Sequence, residues 1–388
     1  MPFARRAPSL SLYSVGLVLA ISVCDSQSAG SVHQALGDPV DSLLISAVAA
    51  HNFPAASVAL GSADRLVKSA GYGTFTYDDK TPASDTTRFD LASLTKVVAT
   101  TTAMMMLVER GHVDPDEVVV TYLPEFGSNG KSTVTVRQLL RHRGGLVPFR
   151  RYYLEPNASR ESVLQAILGD TLVYQPDKDE RYSDLGFIVL GLLVERVTGM
   201  DLATFARDSI FVPLGMHATA FRATDGTDAY VVPTEIDSVF RQRLIQGEVH
   251  DENAFVLGGT AGHAGLFSTA KDLSRFARML LGNGALDGLR FLDSTTVAAF
   301  TRRDHFPHGE RAMGWDFKSI EGYTSAGKHF GASSFGHTGF TGTSMWIDPE
   351  ADVFAVLLTN RVYPSRRNTG HVQIRPKFAD LAFDMVAN

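Results

Sequence analysis

The 388-residue sequence predicts an α/β fold of the α+β kind, with one antiparallel sheet built from both ends of the chain and flanked by helices. Two observations predict this architecture. Strand-like apolar runs lie near the start, at residues 56–60 and 66–71, and near the end, at residues 344–347 and 353–359. Between them the patterning is helical over most of the chain. We therefore expect a helical subdomain, over roughly residues 96–280, inserted into the sheet domain.

Residues 1–29 have the form of an export signal. Two arginines precede an apolar, uncharged run over residues 10–23, which is short for a membrane span. Cleavage before Cys24 would leave a lipid anchor, whereas cleavage near residues 28–29 would release a soluble protein. The alternative is an uncleaved anchor or a buried N-terminal helix. We expect an exported protein, periplasmic or extracellular, that meets a membrane only through this segment.

The remaining elements follow in order along the chain. Asp41 is expected to cap a helix that ends at Ala49, and a turn at residues 61–64 separates the first two strands. A turn at residues 348–350 joins the last two strands, and a final amphipathic helix is expected over about residues 377–386. The helices of the middle are predicted at residues 136–142, 161–168, 185–197 and 271–281. Residues 130–132 are interpreted as a surface turn.

Composition narrows the classes of function. Charged residues make up 20% of the chain and the formal net charge is −6, without a block of basic residues, so we expect no nucleic-acid partner. The single cysteine excludes an internal disulfide, a cysteine zinc site and an iron–sulfur cluster. We expect no cofactor and no bound metal, and the sequence carries no signal for an oligomeric state.

The spacing Ser-x-x-Lys occurs four times, and context separates one occurrence from the others. Ser128 and Ser325 lie in glycine-containing turns, and Ser268 precedes a helix in a pattern typical of a cap. The helix that follows Ser93 has no charged residue from Val97 through Val108, which predicts that it is buried. The lysine of this pair, Lys96, therefore lies at the start of a buried helix, one turn after Ser93 and on the same face.

A lysine at that place must find partners or lose its proton, because burial disfavours the ammonium. A neutral Lys96 could activate the hydroxyl of Ser93, and the helix N-terminus favours the negative charge that develops there. The alternative is that Lys96 reaches solvent while Ser93 only caps the helix.

Two further segments follow in the chain. Residues 182–184, Tyr-Ser-Asp, open a predicted helix, and residues 337–339, His-Thr-Gly, enter a strand-like run. With residues 89–96 they resemble, in order, the three active-site motifs of the serine β-lactamase and penicillin-binding-protein superfamily, on its class C-like branch. The resemblance implies the β-lactamase/transpeptidase-like fold for a serine hydrolase domain over residues 38–386.

The resemblance also implies an acyl-enzyme mechanism. By position, Ser93 would be the acylated nucleophile and Lys96 its proton acceptor. Tyr182 would be a second acid/base, a role for which Lys96 would have to lower its pKa. The backbone N–H groups of Ser93 and Phe340 would form the oxyanion hole. The alternative for Tyr182 is a packed residue beside a helix cap.

The implied substrate contacts include two departures from the family pattern. Thr338 and Gly339 would let the substrate backbone lie along the strand edge. His337 stands where many relatives have lysine, which weakens the charge that would hold a substrate carboxylate unless the imidazole is protonated. Asp184 stands where β-lactamases of this branch usually have asparagine. Both departures argue against an efficient β-lactamase, and the alternative for His337 is an ordinary strand residue.

Two more residues belong to segments that resemble a subgroup of the family. His250 lies in residues 249–254 and Arg361 ends residues 359–361. Both are candidate substrate contacts. The alternatives are that the histidine orders a glycine-rich loop and that the arginine makes a surface ion pair.

We therefore expect a serine hydrolase that acts through an acyl-enzyme on Ser93. Cell-wall peptide (muropeptide) amide bonds are the favoured substrate, because predicted export places the enzyme beside them, and a small-molecule ester is the nearest alternative. A non-catalytic, penicillin-binding-like binding or sensor protein is the second alternative. A metal-dependent hydrolase around His250, His263 and His337 is the third.

Overall fold

The central sheet joins the two ends of the described chain. The computed structural model describes residues 38–221, 230–303 and 311–388, so the predicted export signal and Cys24 lie outside the described residues. The strands of this part are β1 (Ala55–Gly61), β2 (Leu66–Gly73), β3 (Phe89–Asp90), β4 (Ala220–Phe221), β5 (Glu235–Asp237), β6 (Arg243–Ile245), β7 (Leu266–Ser268), β8 (Ala285–Leu286), β9 (Leu289–Arg290), β10 (Asp316–Phe317), β11 (Phe335–Thr338), β12 (Ser344–Asp348) and β13 (Val353–Thr359).

Six of these strands form one antiparallel sheet in the order β10-β11-β12-β13-β1-β2. At its centre Val58 of β1 pairs with Leu357 of β13 on one side and Ala70 of β2 on the other. Every residue of β1 and β13 is buried, which explains why both segments read as continuous apolar runs. The prediction of one antiparallel sheet built from both ends of the chain is confirmed.

Helices cover both faces of this sheet. The α-helices of the described residues are α1 (Pro39–Ala49), α2 (Thr102–Glu109), α3 (Val136–Leu140), α4 (Arg160–Gly169), α5 (Asp184–Thr198), α6 (Leu202–Ala206), α7 (Glu252–Val256), α8 (Ala270–Leu281), α9 (Ser294–Thr301) and α10 (His371–Ala387), and three of them, α1, α8 and α10, pack on the sheet. Helices α1 and α10 contact the sheet and each other around one apolar cluster, and α8 packs on β1 and β13 within a second, larger cluster. A π-helical segment, Lys96–Thr101, leads into α2. In the part of the chain described, no helix is both long and apolar enough to cross a membrane.

Two helix boundaries differ from the expected ones. The cap of α1 is Asp38, whose carboxylate accepts the N–H of Asp41 at 2.9 Å. Helix α10 begins at His371 although Pro376 lies inside it. Because proline lacks an N–H, the carbonyl of Val372 has no helical partner, and it accepts the Tyr323 hydroxyl at 2.9 Å instead.

The interpretation of residues 130–132 as a surface turn is wrong for its lysine. Lys131 is fully buried, donates to the carbonyl of Asp170 and lies 5.6 Å from the centre of the Phe126 ring. Burial lowers the pKa of Lys131. The side chain therefore anchors this turn to the end of α4.

Candidate active site

Ser93 follows a tight turn that an internal carboxylate holds in place. After β3 the chain passes through Ala92, whose φ of +47° is unusual for a residue with a Cβ atom. The N–H of Ala92 donates to the carboxylate of Asp90 at 2.7 Å, and the N–H of His250 donates to the same carboxylate at 2.6 Å. Because Asp90 is buried, it ties the turn before Ser93 to a distant loop.

The ammonium of Lys96 is fully buried and has three acceptors. It donates to the Ser93 hydroxyl at 3.1 Å, to the Asp184 carboxylate at 2.7 Å and to the His263 carbonyl at 3.2 Å. Burial opposes the charge, but Asp184 and the Tyr182 hydroxyl together raise the pKa of Lys96 above its ordinary value. The alternative in which Lys96 reaches solvent is wrong, and the lysine keeps its proton in the resting site.

Tyr182 lies against both residues of the Ser-x-x-Lys pair. Its hydroxyl interacts with Ser93 and Lys96, and its ring centre lies 4.8 Å from the lysine nitrogen. The rings of His142 and His337 lie beside it, at 4.6 and 5.8 Å between centres. Burial raises the pKa of Tyr182, and the charge of Lys96 only partly offsets this effect. The expected lowering of the Tyr182 pKa is therefore wrong, because burial outweighs the neighbouring ammonium.

His337 is buried on β11 and has one hydrogen-bonded nitrogen. Its Nδ1 lies 2.7 Å from the carbonyl of Thr338, and since a carbonyl only accepts, this nitrogen carries the hydrogen. Burial lowers the pKa of His337 to about 4, so the ring is neutral near pH 7 and Nε2 is an acceptor. Protonation therefore does not restore the positive charge that a lysine would supply at this place.

The turn that follows β11 is held from behind by Arg375. One nitrogen of its guanidinium donates to the carbonyls of Gly339 and Thr343, both at 2.7 Å. In a trans peptide the N–H points opposite to the carbonyl, so the N–H of Phe340 points away from Arg375. A Cβ atom at Gly339 would lie 2.1 Å from the Thr343 hydroxyl and 2.4 Å from the Leu91 carbonyl, so this turn requires glycine.

Arg361 supports the same turn and does not reach the cleft. It is buried, and it donates to the carbonyls of Phe340, Arg366 and Asn368 at 2.7 to 2.9 Å. Its guanidinium carbon lies 4.4 Å from the centre of the Phe340 ring. The structure therefore does not bring Arg361 among the substrate contacts, and it makes no surface ion pair either, because its three acceptors are backbone carbonyls beneath the turn.

His250 lines the cleft within a charged network. Its Nε2 lies 2.8 Å from the carboxylate of Glu235, and its ring stacks on Phe340 at 5.6 Å. Arg366 pairs with Glu235 at 2.6 Å and with Glu252 at 2.9 Å. Sequence reasoning missed Glu235 and Arg366, because they lie 131 positions apart and belong to no recognisable motif.

These residues surround one cleft of about 520 Å³. Its lining contains seven of the predicted site residues: Ser93, Tyr182, Asp184, His250, His337, Thr338 and Phe340. Lys96 lies directly behind Ser93, and Gly339 continues the strand edge. The lining also contains residues that the sequence did not single out for this cleft, among them Phe149, Asp251, Glu252, Arg311, Asp316 and Arg366.

The three histidines of the metal hypothesis all line the cleft, but their donor atoms are not close enough to share an ion. Among the described residues, the group of donors close enough to share an ion is Asp184, Asp251 and His263, whose donor atoms lie within 4.8 Å of one another. His263 pairs with Asp251 at 3.0 Å. The ammonium of Lys96 already pairs with the Asp184 carboxylate, so that carboxylate is occupied by a positive charge and is not free to bind a metal.

Comparison with known proteins gives consistent similarities. The beta-lactamase family model matches residues 40–376. The chain is 32% identical over 309 residues to a Salmonella agona protein named "Putative D-alanyl-D-alanine carboxypeptidase", covering 72% of this chain and 70% of that one. It is 31% identical over 364 residues to the N-acetylmuramyl-L-alanine amidase of Bacillus subtilis, covering 83% and 80%. A penicillin-binding protein homologue from Caulobacter crescentus shares the fold, with a TM-score of 0.70 at 21% identity over 88% of this chain and 96% of that one.

Proposed function

Because this chain belongs to the beta-lactamase family, we propose that Ser93 is the nucleophile with which it hydrolyses peptide amide bonds of the cell wall. The chain is a serine hydrolase of this family. The observation that carries the assignment of the nucleophile is the contact between the Ser93 hydroxyl and the buried ammonium of Lys96, at 3.1 Å. The names of the relatives, a carboxypeptidase and an amidase of cell-wall peptides, support the substrate class.

The first chemical step needs a base, and the resting Lys96 is charged. Transfer of one proton from its nitrogen to Asp184, 2.7 Å away, leaves a neutral amine without release of a proton to solvent. That amine then accepts the proton of Ser93 while the serine oxygen attacks the carbonyl carbon of the amide. The charge that develops on the substrate oxygen is stabilised by the backbone N–H groups of Ser93 and Phe340.

The second step releases the amine. Tyr182 is neutral in the resting site, so it can donate its hydroxyl proton to the leaving nitrogen as the carbon–nitrogen bond breaks. Lys96, which holds the serine proton, returns a proton to the phenolate. Water then attacks the acyl-enzyme ester, gives one proton to the same groups and restores Ser93.

Substrate is held along the exposed edge beyond β11. Thr338 lines the cleft at this edge, Gly339 lets the chain turn there, and the exposed ring of Phe340 offers an apolar surface. His250 and Asp184 complete the polar part of the lining. Arg361 acts through Phe340 and is a positioning residue.

We further propose that residues 1–29 direct export, that Cys24 is the acceptor of a lipid, and that roughly residues 96–280 form the helical subdomain of the hydrolase. Export fits relatives that act on the cell wall. Palmitate incorporation that is lost in Cys24→Ser would support the lipid anchor. Incorporation that survives this change would contradict it.

Intact-mass analysis tests the nucleophile. The purified protein is exposed to a fluorophosphonate and, separately, to a penicillin, and the adduct is located by peptide mapping. We expect an adduct on Ser93 that is absent in Ser93→Ala, together with loss of amide hydrolysis. Ser128→Ala is the matched control, because it removes the serine of another Ser-x-x-Lys spacing in an exposed turn. An adduct or a hydrolytic rate that survives in Ser93→Ala would overturn the assignment.

A further inference from the structure

The buried acceptor of His337 lies at the part of the cleft where a substrate meets the strand edge. Its Nδ1 is committed to the Thr338 carbonyl, and its Nε2 is buried with no hydrogen-bond partner in the described part of the protein. A buried acceptor without a partner costs free energy, and a donor on the substrate removes that cost. An amide N–H or a hydroxyl can donate to Nε2, whereas a carboxylate cannot.

The cations around this acceptor are already neutralised. Arg311 pairs with Asp316 and lies 3.3 Å from Glu180, and Lys96 pairs with Asp184. Arg311 and Lys96 are the two cations whose charge acts on His337. On the opposite side of the cleft Arg366 is held between Glu235 and Glu252. Each of these three cations, Lys96, Arg311 and Arg366, is therefore paired with at least one carboxylate.

The lining as a whole is acidic. Among the described residues it contains four carboxylates and two guanidinium groups: Asp184, Asp251, Glu252 and Asp316, and Arg311 and Arg366. A substrate carboxylate placed beside His337 would face an acceptor and would add to an existing excess of negative charge. Binding such a group would require one of the existing ion pairs to break.

We propose that this cleft selects substrates whose group next to the scissile bond is uncharged and donates a hydrogen bond to His337, and that it discriminates against a terminal carboxylate there. The inference rests on the proposed function and narrows its substrate class. The favoured substrate is an amide bond inside a longer molecule, whose leaving side carries a further amide or a hydroxyl group next to the scissile bond. Removal of a C-terminal amino acid, which leaves a free carboxylate on the departing residue, is disfavoured.

A matched pair of substrates tests this selection. One is an acyl thioester whose leaving group carries a free carboxylate, and the other is the same thioester with that carboxylate converted to a primary amide. Thiol release is measured for both, because a thioester is turned over even by a weak amidase. We expect kcat/KM for the amide form to exceed that for the carboxylate form by about tenfold or more, which corresponds to about 1.4 kcal/mol.

Two variants locate the origin of the preference. In His337→Lys an ammonium replaces the acceptor, and in Asp316→Asn the partner of Arg311 loses its charge. Both are expected to reduce the preference for the amide form by about tenfold, mainly through KM for the carboxylate form. Labelling of Ser93 by the fluorophosphonate in each variant shows that the variant is folded and that the serine still reacts. Asp316→Asn keeps the test valid if His337→Lys does not fold.

The outcomes separate this inference from the proposed function. Turnover of both thioesters that depends on Ser93, without a preference for the amide form, overturns the selection and leaves the nucleophile assigned. A preference that neither variant changes overturns the role of His337 and of the neutralised cations. Turnover that does not depend on Ser93 overturns the proposed function and this inference together.

Discussion

The guanidinium of Arg375 donates to the carbonyl of Gly339 at 2.7 Å, and this contact fixes the direction of the next amide group. Arg375 lies on α10, at the far side of the sheet from the helical part, and it is almost fully buried. Burial lowers its pKa to about 10, which leaves it charged at neutral pH. A positive charge therefore lies directly behind the proposed oxyanion hole, where it favours the negative charge of the tetrahedral intermediate.

Arg375→Met is expected to lower kcat by about tenfold to a hundredfold with KM nearly unchanged, because the lost contacts act mainly on the transition state. The measurement is steady-state hydrolysis together with inhibition by a boronic acid, which forms a tetrahedral adduct on the serine. Affinity for the boronic acid should fall in parallel with kcat. Arg375→Lys keeps the charge and is expected to recover part of the loss.

Arg278→Met is the matched control for that change. Arg278 also donates to a backbone carbonyl, that of Ala63, but it does so away from the cleft. Its replacement should leave kcat and boronic acid affinity unchanged. A similar loss in both variants, or a loss for Arg375→Met that appears only in KM, would show that the residue has only a structural role.

Asp184→Asn is expected to change the pH dependence of the reaction. In the wild type Asp184 raises the pKa of Lys96, so at neutral pH the neutral amine forms only by proton transfer to Asp184. At alkaline pH Lys96 also loses its proton to solvent, so kcat/KM should climb. Without the carboxylate, burial is opposed only by Tyr182, so the pKa of Lys96 falls. The acid limb of the profile should therefore move to lower pH, while the maximal rate falls because the proton acceptor beside the lysine is lost.

Asp208→Asn serves as the control, since Asp208 also pairs with a basic residue, Arg207 at 2.6 Å, but on the exposed surface. Its profile should overlay that of the wild type. If the acid limb of Asp184→Asn stays in place or moves to higher pH, Lys96 is not the group whose deprotonation limits the reaction.

Gly262→Ala is expected to destabilise the protein and to slow the reaction. A Cβ atom at this position would lie 2.0 Å from the Phe187 carbonyl oxygen and 3.0 Å from the backbone of Gly191, so the loop must shift away from α5. The same loop supplies the His263 carbonyl to Lys96. We expect a loss of about 2 to 3 kcal/mol in the free energy of unfolding, measured by urea denaturation.

The control for this substitution is Gly169→Ala at the end of α4. A Cβ atom added there would have no neighbouring atom within 4 Å, so the free energy of unfolding should stay within about 0.5 kcal/mol of the wild type. Equal losses in the two variants would mean that a general effect of replacing glycine, rather than the close approach of the loop to α5, explains the result.

Acid is expected to destabilise the fold through buried histidines. Burial, with the charges of Arg375 and Arg361 nearby, lowers the pKa of His371 to about 3. The unfolded chain, with an ordinary histidine pKa of about 6.5, therefore binds a proton before the folded protein does. The free energy of unfolding is therefore highest above the histidine pKa of the unfolded chain, about 6.5, and it decreases as the pH falls from that value toward 3.

His371→Gln removes one such group and should flatten the dependence of urea unfolding on pH over that interval. Part of the slope should remain, because the pKa values of His142 and His337 are also lowered. A variant whose slope equals that of the wild type would show that His371 is already protonated, or exposed, in the folded protein.

The sequence was a good guide where the pattern depends on neighbouring residues. The apolar runs of β1 and β13 and the uncharged helix after Ser93 are buried as expected, because continuous apolar stretches leave few alternatives to burial. The motifs also bring Ser93, Lys96 and Tyr182 together, since their order follows the family resemblance.

Properties that depend on distant partners were not predictable from local pattern. The pKa of Tyr182 is set by the balance between burial and a lysine 86 positions earlier, and that balance exists only in the folded site. Arg361 was predicted to contact the substrate because residues 359–361 resemble a family segment. Its acceptors are instead the backbone carbonyls of Phe340 and Arg366, and no local sequence pattern predicts that these lie beside it. The start of α10 was missed because Pro376 reads as a boundary, while the compensating hydroxyl of Tyr323 lies far away in the sequence.

The pairing of β1 with β13 also determines when activity can arise during synthesis. The side chain of Asn360, immediately after β13, accepts the N–H of Ala55, a contact across 305 positions of sequence. Synthesis must therefore reach β13 before the sheet can close, and the turn that carries Phe340 is positioned by α10, which follows β13 in the chain. A chain interrupted before α10 would carry Ser93 without the support that Arg375 gives to the turn of Phe340, so we expect hydrolysis only after α10 has been synthesised.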